Sequence, residues 1–378
     1  MKKLLFITGT RADYGKIKSL IVEIKKIKYF KVNIFVTGMH NLALFGKTSD
    51  QIIKDNLGII TLFNNQLKTE KNSMDLILSK TIVGLNQSVR KICPDLILVH
   101  GDRVETLAGA VVGCLNNIKV AHIEGGEISG TVDEILRHSI TKLSHIHFTT
   151  NLFAKKRLIQ LGEEKKNIFI IGSPDVDILL SKNLPTIEET KARYDINFKN
   201  YGIFLFHPVT TEIDSLETQL RILIKSIIKS KFNYVVLYPN NDMGSEMIIK
   251  YIKKFFKDSS KFRILSSMRF ENYLTLLKYS NFLIGNSSSG VMEAPYYGVP
   301  VINLGTRQNK RANINSIFDT DFNSLKINNL IKRFVYKKKN FKKIYYFGDG
   351  KSNFRFKKII TKKSFWKIKS QKTFIEIK

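Results

Sequence analysis

The chain has 378 residues, more than one ordinary core holds, and suits two domains of ~150–200 residues each. A hydrophobic fraction of 43% with only 7 prolines excludes a disordered chain, and 2 cysteines exclude a disulfide framework. The net charge of +30 is compatible with a polyanion binder, an enzyme for phosphorylated substrates, or a surface filled with lysine.

At the start, the apolar run Leu4–Ile7 is cut short by Arg11 and Asp13. A secretory h-region needs ~7–15 apolar residues, so no signal peptide is expected. No window approaches the ~20 apolar residues of a membrane span. A cytoplasmic protein without membrane insertion is expected, with Cys93 and Cys114 as reduced core thiols.

Lys3–Gly9 reads as a buried strand, followed by helical spacing at Ile17, Leu20, Ile21, Ile24 and Ile27. Val32–Thr37 is the next strand. Asp95–His100 is a strand, Thr106–Leu115 a helix and Lys119–Ile123 a strand. Glu134–Ser144 is a helix, and Ile146–Thr149 and Ile168–Gly172 are strands. Gly172–Thr186, with Gly-Ser-Pro-Asp and Asn183-Leu184-Pro185, is the predicted linker. The pattern then restarts with strand Tyr201–Phe206, helix Leu216–Ser230 and strand Tyr234–Tyr238. Helix Phe270–Lys278, strand Phe282–Gly285, helix Gly290–Tyr297 and strand Pro300–Leu304 follow. Strands alternating with helices predict parallel sheets covered on both faces. The expected fold is α/β, with two Rossmann-like domains facing a cleft.

The acids of Leu98–Leu143 gather at strand exits, where packing explains them poorly and proton transfer explains them well. Asp102 follows strand Leu96–His100, with Arg103 beside it as a possible neutralising partner. Glu124 follows Val120–Ile123, and Gly125-Gly126 behind it would let a substrate approach the backbone. Thr131 and Glu134 have the spacing of a capping box, and Asp133 is either a proton carrier or a helix-start acid. His207 ends another strand.

Two loops suit anions. Gly9–Gly15 joins the first strand to the first helix, and Arg11 there is able to clamp a phosphate; the plain alternative is a turn capped by Asp13. Gly285–Glu293 leads from a strand into a helix through three serines. Glu293, one turn into that helix, is placed to accept from a ribose hydroxyl pair. No His, Cys or carboxylate set has metal-ligand spacing, so no metal is expected.

These residues resemble the hydrolysing UDP-N-acetylglucosamine 2-epimerases. The matching runs are GTRADYG at Gly9–Gly15, HGDRVE at His100–Glu105 and HIEGGEISGT at His122–Thr131. Asp133-Glu134 with Arg137-His138, HPVTTE at His207–Glu212 and PNND at Pro239–Asp242 follow. GNSSSG at Gly285–Gly290 and GVPVINLGTRQNKR at Gly298–Arg311 complete the set. The resemblance implies a glycosyltransferase-B type fold: an N-terminal domain over 1–180, a UDP-binding domain over 187–350, and a tail helix over 351–378 returning to the first domain. It implies no cofactor, UDP-N-acetylglucosamine as the small-molecule partner, a homodimer, and no nucleic acid. Asp102, Glu124, Asp133 and His207 take the catalytic positions. Arg11, Gly15, Arg103, Asn241, Ser287, Ser288, Gly290, Glu293 and Arg307 take the substrate-binding ones. Glu293 would hold the ribose and Ser287 and Ser288 the diphosphate, with Arg11 and Arg307 closing from opposite sides.

The implied reaction removes the C2 proton as UDP leaves C1, giving 2-acetamidoglucal; hydration then yields N-acetylmannosamine for sialic acid synthesis. Asp102 is read as the C2 base, with Glu124 and Asp133 handling water and reprotonation. Three alternatives stand beside this one. They are a nucleotide-linked diacetylbacillosamine as substrate, a non-hydrolysing epimerase, and an inert polyanion binder using Phe354, Phe356, Phe365 and Trp366 among the tail lysines. For that tail, a docking helix with a basic outer face is the competing reading.

Overall fold

The computed structural model describes residues 1–66, 73–129, 132–258, 260–308, 311–336 and 341–376. They form two compact units. Met1–Glu127, Asp133–Ser181 and Tyr346–Lys378 make the first, and Ile128–Val132 with Lys182–Tyr345 the second.

In the first unit, β1 (Lys2–Thr8), α1 (Arg11–Lys25), β2 (Phe30–Val36), α2 (Ser49–Asp55) and β3 (Ile59–Leu62) come first. Then follow α3 (Met74–Ile92), β4 (Leu96–His100), α4 (Val104–Leu115), β5 (Lys119–Ile123) and α5 (Val132–Leu143). The run closes with β6 (Ile146–Thr149), α6 (Leu152–Gln160), β7 (Ile168–Ile170) and α7 (Pro174–Leu179). The sheet order is β3-β2-β1-β4-β5-β6-β7, with parallel pairing throughout. Strand β4 is buried along its whole length, as a central parallel strand must be. One core layer packs Ile17, Leu20, Ile21 and Ile24 of α1 on the sheet, and another packs Leu85 and Val89 of α3 with Ala108 and Val112 of α4.

The second unit runs α8 (Ile187–Tyr194), β8 (Gly202–Leu205), α9 (Ile213–Lys229), β9 (Tyr234–Leu237), α10 (Ser245–Phe255) and β10 (Phe262–Leu265). It continues with α11 (Phe270–Tyr279), β11 (Phe282–Gly285), α12 (Ser289–Met292) and α13 (Ala294–Tyr297). Strands β12 (Val301–Leu304) and β13 (Ile317–Thr320) and helix α14 (Ser324–Tyr336) complete it. Its parallel sheet has the order β10-β9-β8-β11-β12-β13. In both sheets the winding reverses beside the first strand, at β1/β4 and β8/β11. That reversal opens a crevice outside the carboxyl ends of the strands, where open α/β sheets bind ligands.

Finally α15 (Ser352–Ile360) joins the first unit and packs on α1 and α7. Phe356, Ile360 and Phe365 are buried in the core that holds Phe148, and Trp366 packs against it. Of the four tail aromatics considered for base stacking, Phe354 alone is largely exposed, at 59%.

Several expectations are corrected. The chain passes to the second unit between Ser181 and Lys182, inside the predicted linker Gly172–Thr186, but the first half of that segment is a helix, α7, packed against α1. Pro at the first helical position and two acids in the first turn are what start α7 there. The helix predicted over Gly290–Tyr297 is broken at Glu293, two residues before Pro295, whose missing N–H and ring disfavour a continuous helix. Cys93 is not a core thiol. It is exposed, in the left-handed cap that ends α3, and Cys114 is half-buried.

Candidate active site

Three carboxyl-end loops of the first sheet, those after β1, β4 and β5, supply one cluster. Register places His100, the last residue of β4, opposite Ile123, so the next residue of β5's exit, Glu124, stands beside it. His100 Nε2 lies 3.2 Å from Glu124 Oε2, and Nδ1 lies 3.1 Å from Asp13 Oδ1. Burial opposes charge on this imidazole, but Glu124 and Asp13 outweigh it and raise its pKa to about 10. Glu124 is equally buried; His100, with Lys16 and Ser173, holds its carboxyl well below the usual range. The residue is left-handed, with φ of 66°, which turns the chain sharply out of β5.

Asp13 owes its place to the start of α1. Thr10, not Asp13, caps the helix: its hydroxyl accepts from Asp13 N at 3.1 Å, while Asp13 Oδ2 accepts from Gly9 N at 3.0 Å. Arg11 is the first residue of α1, half-buried, and Gly15 is buried one turn on. His40, just past β2, bonds Thr8 Oγ1 at 3.0 Å and Thr48 Oγ1 at 2.6 Å. Burial holds it neutral, with a pKa near 4.

Asp102 is paired by Arg137 of α5, a side chain only 2% exposed, whose Nη1 also donates to Glu127 O at 3.2 Å. Despite burial, Asp102, Glu127 and Asp133 together hold this guanidinium above its ordinary pKa. Arg137 thus ties three acids to one cation. Arg103, considered as the neutraliser of Asp102, lies 3.3 Å from Glu105 through its Nε. Glu127 accepts from Thr150 Oγ1. Asp133 and Glu134 sit in the first turn of α5, and Glu134 is 3.4 Å from His138. Thr131, the other half of the expected capping box, lies outside the described residues.

Gly125 and Gly126 have a different reason from substrate access. A Cβ on Gly126 would meet Ala154 O at 2.4 Å, and one on Gly125 would meet His122 Nδ1 at 2.9 Å. The protein itself fills that space.

The second unit has its own cluster. Gly285, with φ of 145°, lets β11 pass so close to β8 that a Cβ would stand 1.9 Å from Leu205 O. This brings Asn286 against the exit of β8. His207 N donates to Asn286 Oδ1 at 2.7 Å, and Asn286 Nδ2 donates to His207 O at 2.8 Å. His207 Nδ1 accepts from Asn240 N at 3.2 Å, so the neutral ring carries its proton on Nε2. Asn241 follows, half-buried. Ser287 is buried and Ser288 half-buried before α12. With four residues, α12 contributes little macrodipole, so hydroxyls and loop N–H groups carry whatever anion affinity the loop has. Glu293 is buried at the break between α12 and α13. Gly290 is explained by packing, since a Cβ would stand 2.7 Å from Val301 Cγ1. Arg307 Nη1 donates to Asn286 O at 3.3 Å.

Each predicted site residue therefore falls into one of two groups. Asp102, Arg103, Glu124, Asp133, Arg11 and Gly15 belong to the first unit, and His207, Asn241, Ser287, Ser288, Gly290, Glu293 and Arg307 to the second. Sequence reasoning missed His100, Asp13, His40, Arg137, Asn240 and Asn286 as site components. The strand-exit criterion that found His207 applies equally to His100. Arg137 stands four residues after Asp133 on one helix, but its hydrogen-bond partners are 10 and 35 residues away, beyond any local pattern.

Taken together, the two parallel sheets and their helices define a class: Rossmann-like domains of the glycosyltransferase-B type. Residues 22–361 match the family model described as UDP-N-acetylglucosamine 2-epimerase, and the chain belongs to that family. It is 43% identical to the UDP-N-acetylglucosamine 2-epimerase of Neisseria meningitidis serogroup B, over 100% of both chains. It is 34% identical to the UDP-N,N'-diacetylbacillosamine 2-epimerase (hydrolyzing) of Legionella pneumophila, over 85% of each chain. The crystal structure of a Neisseria meningitidis UDP-GlcNAc 2-epimerase bound to UDP-GlcNAc shares the fold. Its TM-score is 0.78 at 18% identity, over 95% of this chain and 99% of that one. Among the described residues no helix is long and apolar enough to cross a membrane.

Proposed function

We propose that this chain is a hydrolysing UDP-N-acetylglucosamine 2-epimerase, releasing N-acetylmannosamine and UDP for sialic acid synthesis. The observation that carries the reading is the pairing of the Asp102 carboxylate with buried Arg137 while the Asp102 side chain remains 28% exposed. It takes the C2 proton as the C1–O bond breaks toward UDP. Glu124 and Asp133 handle the water that adds at C1 and the proton returned to C2. His207, with its proton on Nε2, donates toward the departing diphosphate, and Ser287, Ser288 and Arg307 of the same unit hold it. Glu293 accepts from the ribose. The reading includes a homodimer, as the family resemblance implies.

The test is incubation of the protein with UDP-N-acetylglucosamine in D2O. Free N-acetylmannosamine deuterated at C2, plus UDP, is expected; recovery of an epimerised UDP-sugar alone would sink the hydrolytic reading. Asp102→Asn should lower kcat by about 10²–10⁴-fold with UDP binding retained. The similarity to the Legionella enzyme favours a second reading, a nucleotide-linked diacetylbacillosamine as substrate. Comparing kcat/KM for the two nucleotide sugars decides between them.

A further inference from the structure

The Gly-Ser-Pro-Asp run that reads as a linker is built into the floor of the first cluster. Ser173 is held in place by its own N–H, which donates to Phe347 O at 2.7 Å, and by Pro174, which keeps the residue before it extended. Its hydroxyl reaches two buried carboxylates at once, Glu124 and Asp175. Asp175 is fully buried, and its Oδ2 lies 3.0 Å from Lys16 Nζ on α1. Glu124 has His100 on its other oxygen.

A hydroxyl has one proton to donate and lone pairs to accept with. Ser173 therefore cannot donate to both acids together. With Glu124 ionised, the hydroxyl donates to Glu124. With Glu124 protonated, the new carboxyl O–H donates to Ser173, and the hydroxyl turns to Asp175, whose other oxygen faces Lys16 Nζ. Both protonation states of Glu124 then have a complete hydrogen-bond arrangement.

We infer that Ser173 and Asp175 are positioning residues that make Glu124 a reversible proton carrier, Ser173 as the pivot and Asp175 as the alternative acceptor. This rests on the proposed role of Glu124 in hydration. As water adds at C1, its oxygen lone pair forms the C1–O bond. The C1=C2 pair takes at C2 a proton that Asp133 has drawn from solvent, leaving Asp133 ionised beside Arg137, and the proton lost by water goes to Glu124. Against His100 and Lys16 alone Glu124 would hold its ionised form so firmly that it would accept a proton poorly. Ser173 donating to Glu124 adds to that bias; Asp175, as a second acceptor for the same hydroxyl, frees Ser173 to accept from the protonated acid.

Two measurements test it. The first needs no substrate. Gln at position 124 mimics the protonated acid, so a double-mutant cycle in urea denaturation compares Glu124→Gln with and without Asp175→Asn. The cost of Glu124→Gln should grow on the order of tenfold in the unfolding constant when Asp175 is replaced, and this coupling should vanish in the Ser173→Ala background. If Asp175→Asn does not fold, the cost of Glu124→Gln must still be larger in Ser173→Ala than in Ser173→Thr, which keeps the hydroxyl. The second is kinetic. Ser173→Ala should lower kcat about 10–100-fold while KM moves less than about threefold, with Ser173→Thr restoring most of kcat. Additive stabilities, or a Ser173→Ala enzyme with unchanged kcat, would overturn the pivot. Coupling in a protein that leaves UDP-N-acetylglucosamine untouched would support the pivot and remove the proposed function instead.

Discussion

His100 is the residue on which the first cluster turns. Flanked by Asp13 and Glu124, it is the cation that lets two carboxylates share a nearly dry site. Removing one partner of a buried ionic group leaves the others uncompensated, at a cost of about 3–5 kcal/mol. His100→Gln should destabilise the first unit by that order in urea denaturation at neutral pH. The pH dependence has a definite sign. The folded pKa is raised from 6.5 to about 10, so the stabilisation is fully present below pH 6.5 and is lost as pH rises through 10. The native protein should lose stability across that alkaline window, and the variant should lack this part of the slope. An equal slope in both would show that the imidazole is not held charged.

At the scale of elements, the basic tail changes meaning. Its lysines suggested a polyanion surface, yet Lys372 closes the end of a helix. Its Nζ donates to Lys142 O at 2.9 Å, Ser144 O at 2.7 Å and Glu163 Oε2 at 2.6 Å, satisfying carbonyls that end α5. Glu163 also meets His147 at 2.9 Å. Helix α15 brings Phe356 to within 4.9 Å of Phe148, ring centre to ring centre, with no exposure. Phe356→Ala should therefore cost about 3–5 kcal/mol, measured by the denaturation midpoint. A change below 1 kcal/mol would mean that the tail helix adds little to the core. Sequence periodicity located most of the central strands because parallel strands are apolar throughout. It read α7 as a linker because six residues are too few to display a helical period.

For the whole molecule, each unit has its own core, one built on seven strands and the other on six. Thermal unfolding should then depart from a single two-state transition in calorimetry. Under the proposed function, UDP should raise the transition of the second unit, which carries Ser287, Ser288 and Glu293, by about 2.7 kcal/mol at a concentration of 100 Kd. His100→Gln should lower the other transition. One transition moved equally by both would refute independent units.

The sequence by itself determined the alternation of strands and helices, the strand exits at His100, Glu124, His207 and Gly285, and the loops that follow them. These are local properties, set by apolar runs and by the residues that end them. Only the tertiary structure decided which groups meet there. His100 joins Asp13 to Glu124, Arg137 reaches Asp102, Asn286 grips His207, and Ser173 lies between two acids. Those pairings span 79 residues for Asn286 and His207, and 87 for His100 and Asp13. No local pattern encodes them, because sheet order and register bring the strand ends together, and both arise only when the sheet forms.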